Sequence, residues 1–167
     1  MRLKLLSSLC IVAAVTALAW WLFPSEERQI RSRLEELADT ASIPPNEQEF
    51  GRMARLGRLG RLLTDDVSLG GGEPLDMVSG RDAVLGLAAQ VQRYTGGLHV
   101  VLQDVTVTVD DDRRRAHAGA RAVATEHAAD GRETVEMRDV SLELAKTDEG
   151  WQLTRAVIAP EGPATAR

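Results

Sequence analysis

Proton transfer near neutral pH needs a titrating group beside a carboxylate or a cation. The chain offers a small set of such residues: His99, His117, Arg121, Glu136, Arg138 and Asp76. A histidine paired with a carboxylate, such as His99 or His117 with Glu136, has the parts of a general acid and base. The same side chains also read as solvent-facing sheet residues or as a satisfied polar pair. His127 stands beside a turn and reads as exposed. No two candidate ligands show metal spacing, so no zinc site and no cofactor is expected. Gly70-Gly71-Gly72 resembles a phosphate cradle only superficially, because the Lys-Ser/Thr and helix of a P-loop do not follow.

Most of these residues fall between Leu98 and Ile158, which reads as four β-strands joined by three tight turns. Leu98, Val100 and Leu102 alternate, and Val105, Val107 and Val109 alternate in the opposite phase. A phase slip at Gln103-Asp104 is what a β-bulge produces. A row of alanines, Ala116 to Ala124 at every second position, leaves room for close packing. Asp130-Gly131 and Glu149-Gly150 are turn signals. Val135 and Met137 against Val140, Leu142 and Leu144 predict a second slip at Arg138-Asp139.

Helices must cover this sheet. Ser25 caps the first, with Glu26 and Glu27 in its first turn and Ile30, Leu34, Leu37, Ala38 and Ala41 on one face. Pro44 and Pro45 end it. Asn46 with Glu49 has the form of a capping box for a second helix over 47–64. Arg52, Arg55, Arg58 and Arg61 recur there at spacing three and read as a solvated face, or as a basic patch for anionic lipid headgroups or an acidic partner near the membrane. Gly57 and Gly60 suggest close approach of another backbone. Val67 to Leu69 and Leu75 to Val78 read as short strands. Ser79 with Asp82 suggests the cap of a third helix, which ends near Tyr94 and Gly96-Gly97.

The chain has 167 residues, a net charge of −5 and 4% aromatics. That charge argues against nucleic acid as a partner. Basic charge is nearly all arginine, which hints at a GC-rich bacterial genome. Residues 5–23 form an apolar run of about 19 residues, close to the span of a bilayer. Arg2 and Lys4 precede it, Trp20 and Trp21 sit at its far end, and Glu26 and Glu27 follow. The pattern predicts a single-pass anchor in the inner (cytoplasmic) membrane, N-terminus in the cytoplasm and domain on the periplasmic or extracellular side. Ala17-Leu18-Ala19 also fits cleavage of a signal peptide after Ala19. The lone Cys10 precludes an intrachain disulfide, and Leu9 before it argues against lipidation. Residues 1–24 are thus the anchor, 25–159 one α+β domain, and 160–167 a tail without core residues that reads as disordered.

This order of elements, together with Leu62-Leu63-Thr64-Asp65-Asp66-Val67, Gly80-Arg81-Asp82-Ala83, Asp104-Val105-Thr106-Val107 and Gly150-Trp151-Gln152-Leu153, resembles the nuclear transport factor 2-like superfamily, with its SnoaL-like cyclases and ketosteroid isomerases. The resemblance implies a cone, in which a strongly bent antiparallel sheet packs against three helices around a pocket. It also implies a homodimer through the sheet, and places Asp76 at the pocket rim. The ketosteroid isomerase aspartate falls here on Gly70 to Gly72, and the first helix lacks that family's tyrosine. The chain therefore reads as a membrane-tethered, non-catalytic binder of a small apolar ligand or a protein partner. The alternative is an acid–base isomerase, dehydratase or cyclase with a His/Glu pair in the cone.

Overall fold

The computed structural model describes residues 25–71, 77–91, 96–128 and 131–159. Three helices, α1 (Glu26–Ala41), α2 (Glu49–Leu62) and α3 (Arg81–Val91), pack on one face of a curved six-stranded sheet. Its strands are β1 (Leu63–Gly71), β2 (Val78–Ser79), β3 (Leu98–Val109), β4 (Arg115–His127), β5 (Glu133–Thr147) and β6 (Gly150–Ile158). They lie in the order β2-β1-β6-β5-β4-β3. Among the described residues only the β1–β6 pair is parallel. The apolar run 5–23, with Cys10 and Ala19, lies outside the described residues, as do Asp76, Tyr94 and the tail 160–167. Among the described residues no helix is long and apolar enough to cross a membrane.

Helix α1 forms where its pattern predicts. The Ser25 hydroxyl accepts from the Arg28 N–H at 3.3 Å, and Ile30, Leu34 and Ala38 are buried. After its last turn the Ser42 hydroxyl accepts from Val100 N at 2.9 Å and donates to the Ala38 carbonyl at 3.0 Å. That one side chain ties the end of α1 to β3. At the other end of α1, Glu26 accepts from Lys146 Nζ at 2.5 Å and from Trp151 Nε1 at 3.0 Å. These two donors, Lys146 first, hold the Glu26 carboxyl below its usual 4.5.

Helix α2 departs from expectation at both ends. The Asn46–Glu49 capping box does not form. Asn46 turns through φ 60°, and Gln48 caps the helix without a side-chain bond. The helix stops at Leu62 because Leu63 already enters β1 beside Leu153. Two later residues fasten this junction. Arg81 donates to the Leu63 carbonyl at 2.7 Å and meets Asp65 at 2.9 Å. The buried Gln152 donates to the Arg61 carbonyl at 2.9 Å, satisfying a helix-end acceptor that would otherwise be orphaned. The expected close approach of another backbone is absent at both glycines: a Cβ at Gly60 would lie 3.4 Å from the Leu85 side chain, and Gly57 faces open space. The cap of α3 is Gly80 at φ +94°, whose carbonyl receives the first helical bond from Val84, and not Ser79.

The meander has the predicted bulge between Gln103 and Thr106, with Asp104 at φ 53°. The second predicted slip is absent. β4 and β5 pair without interruption from Arg115↔Ala145 to His127↔Glu133. Val135 and Met137 therefore point away from the helices, 55% and 64% exposed. Val101, Val123 and Met137 stand in one row across three strands on that outer face. The register shift on the far side of β5 instead falls between Glu143 and Leu144, against β6. The helix-side face holds the core, where Ile30, Leu34, Leu59 and Val84 from the helices meet Leu142, Trp151 and Leu153 from the sheet.

Candidate functional site

Between the helical layer and the curved sheet lies a pocket of ≈ 330 Å³. The helices contribute Leu37, Ala41, Leu59 and Leu87, and the strands contribute Leu98, Ala122, Val140 and Ile158. Every described residue of the lining is aliphatic except one, Arg55. The strands supply this wall because period-two alternation sends Leu98, Val100 and Leu102 inward and His99 and Val101 outward. Small alanines on β4 leave the space that larger residues would fill.

Arg55 is 4% exposed, unlike the solvated arginine predicted from its spacing with Arg52, Arg58 and Arg61. Its Nε lies 3.2 Å from both Glu47 carboxylate oxygens, and Nη2 lies 3.1 Å from Oε2. Nη1 donates to the Thr40 carbonyl at 3.0 Å, in the last turn of α1. A helix C-terminus carries partial negative charge, so carbonyl and carboxylate together compensate the buried cation. Gly51 makes room for the partner, since a Cβ there would stand 3.3 Å from Glu47 Cγ. Sequence spacing misses this pair because Glu47 precedes the helix and sits eight residues away. The signal that points to it is an acidic residue ahead of an arginine that shares its buried helix face with Leu59 and Leu62.

The remaining candidates scatter. His99 is exposed on the outer face of β3, opposite Thr125. His117 is exposed on the outer face of β4, its Nε2 3.8 Å from Asp110. Arg121, on that face too, lies 3.3 Å from Asp139 and 3.6 Å from Asp104. His127 stands 3.5 Å from Glu133 and is exposed. Glu136 and Arg138 do come together, at 2.7 Å and 2.5 Å. They pair across the strands with Ala124 and Ala122, which puts them on the pocket side of the sheet, beyond the lining itself. Neither His99 nor His117 shares that side, so neither meets Glu136 in the pocket, and the one His/Glu contact among the described residues, His127 with Glu133, is exposed. Nor do three His, Cys, Asp or Glu side chains there cluster as metal ligands would.

A cone of this shape around an apolar pocket defines a class of protein, and comparison with known families places the chain in it. The SnoaL-like domain family model matches residues 49–159, and the chain belongs to that family. No curated protein matches the chain. Among solved structures it is similar to a nuclear transport factor 2-like protein with a cystatin-like fold from Novosphingobium aromaticivorans, at 20% identity and TM-score 0.66, covering 94% of this chain and 92% of that one. It is also similar to a provisionally assigned dehydratase of the nuclear transport factor 2-like family from Streptomyces avermitilis, at 16% identity and TM-score 0.68, covering 83% and 98%. A third is the Kribbella flavida protein Kfla4162, at 16% identity and TM-score 0.67, covering 81% and 90%. At such identities the likeness is one of fold.

Proposed function

We propose that this domain is a non-catalytic binder that holds a small apolar ligand in the cone. The observation that carries the reading is the lining, in which aliphatic side chains surround ≈ 330 Å³ and no described histidine or free carboxylate enters. Enzymes that move protons aim titratable groups into such a space. In this reading residues 5–23 tether the domain on the outer side of the cytoplasmic membrane, and two copies meet through the outer face of the sheet. A second reading, an acid–base enzyme, draws on the Glu136–Arg138 pair on the pocket side of β5.

Native mass spectrometry of the full chain, extracted in mild detergent, tests the first reading. A co-purified apolar adduct is expected, and Ala122→Phe, which fills the pocket, should abolish it. An adduct that survives Ala122→Phe, or its chemical conversion by the chain with loss of turnover in Glu136→Gln, would move the assignment to another site or to the enzyme.

A further inference from the structure

The aliphatic lining has one polar member among the described residues, Arg55, and its chemistry narrows what the pocket can hold. A guanidinium has five N–H donors. Arg55 directs three of them to Glu47 and the Thr40 carbonyl, through Nε, Nη2 and Nη1. The other two find no acceptor among the described residues, although the side chain is 5% exposed and lines the pocket. Buried donors of a charged group left without acceptors are costly, and a ligand oxygen would relieve that cost.

The charge of that oxygen is decided by Glu47. The Arg55–Glu47 pair is neutral as a unit. A carboxylate entering beside it would find a cation already compensated, and would lose its own hydration to an aliphatic cavity. A neutral carbonyl or hydroxyl needs only a donor. Resting on the pocket reading above, we infer that Arg55 is the polar anchor of the pocket. Its ligand is an uncharged, mostly apolar molecule with one acceptor oxygen at the end near Ala41 and Ile43, which line the pocket beside Thr40. Glu47 is the positioning residue: it aims the guanidinium and excludes anions.

The test uses the full chain in lipid nanodiscs and three probes of one shape: 2-acetylnaphthalene, 2-ethylnaphthalene and 2-naphthoate. Binding is read from the Arg55 Nε–H resonance of ¹⁵N-arginine-labelled protein, against free probe measured by dialysis. The ketone should bind about tenfold tighter than the ethyl compound, the difference one charge-assisted hydrogen bond makes, and the carboxylate weakest. Isotope-edited infrared spectra should show the bound ketone carbonyl shifted to lower frequency. In Glu47→Gln/Arg55→Met, probe binding followed by ligand-observed resonances should lose the tenfold preference and the shift, with the ethyl compound unaffected. Should that variant fail to fold, the wild-type ranking and carbonyl band decide the matter. Equal binding of ketone and ethyl compound, or a preference for the carboxylate, overturns the anchor and leaves the apolar pocket standing. No binding of either neutral probe overturns the pocket reading as well.

Discussion

At the scale of single residues, Arg55 and Glu47 carry both stability and recognition. Arg55→Met removes the guanidinium from a buried ion pair, a loss of about 3–5 kcal/mol. Urea unfolding should show it as a lower midpoint, and adding Glu47→Gln should restore most of it. Glu26 acts in the opposite setting, at a half-exposed edge. Its folded pKa is lowered by Lys146 and Trp151, so its contribution is present above the unfolded value of 4.5 and lost as pH falls through the folded one. Glu26→Gln should therefore lower the melting temperature at pH 6 and much less at pH 3, an effect of about 1 kcal/mol or less. Neither residue's weight is legible in the sequence. Arg55 shares its spacing with three solvated arginines, and Glu26 finds its partners 120 residues on, at Lys146.

At the scale of elements, the reading of the sequence succeeds where a local rule has one outcome. Gly131 and Gly150, at φ +84° and +100°, turn the chain where turn chemistry says it must turn. The phase slip at Asp104 marks a real bulge for the same reason, since only an extra residue there keeps Val105 and Val107 on the helix side. Arg138-Asp139 shows the limit of that rule. Apolar residues changed phase there because the outer face becomes apolar at Val135 and Met137, with no extra residue in the strand. Periodicity reports which face is apolar and is silent on which face is inside. Asp104 holds φ 53°, a region glycine enters freely and β-branched residues avoid. Asp104→Gly should leave stability unchanged or raise it by up to about 1 kcal/mol, and Asp104→Val should lower it by about 1–2 kcal/mol. Thermal unfolding of the two variants side by side measures the bulge directly.

At the scale of the whole molecule, the cone was legible from the order of elements, while its contents were not. The row Val101, Val123 and Met137 leaves an apolar strip on the face away from the helices, the surface through which the proposed homodimer would form. Met137→Asp should convert a dimer of the full chain to monomer in light scattering after gel filtration, with its melting temperature changed by only a few degrees. A dimer that survives this substitution would place the contact elsewhere.

The parallel pairing in the sheet bears on how the molecule comes into being. β1 takes its place beside β6, with Ser68 against Arg155 and Gly71 against Ile158. Helix α2 and α1 are fastened by the same closing hairpin, through Gln152, Trp151 and Lys146. A chain synthesised from its N-terminus therefore produces β1 long before the strand it pairs with in parallel. Ile30 and Leu34 can already pack against β3 and β4 before β6 is made, but β1 lacks its parallel partner until then, and loop closure over such distances is slow. The sheet is therefore completed only once β6 is made, when β1 and the ends of both helices gain the partners that hold them.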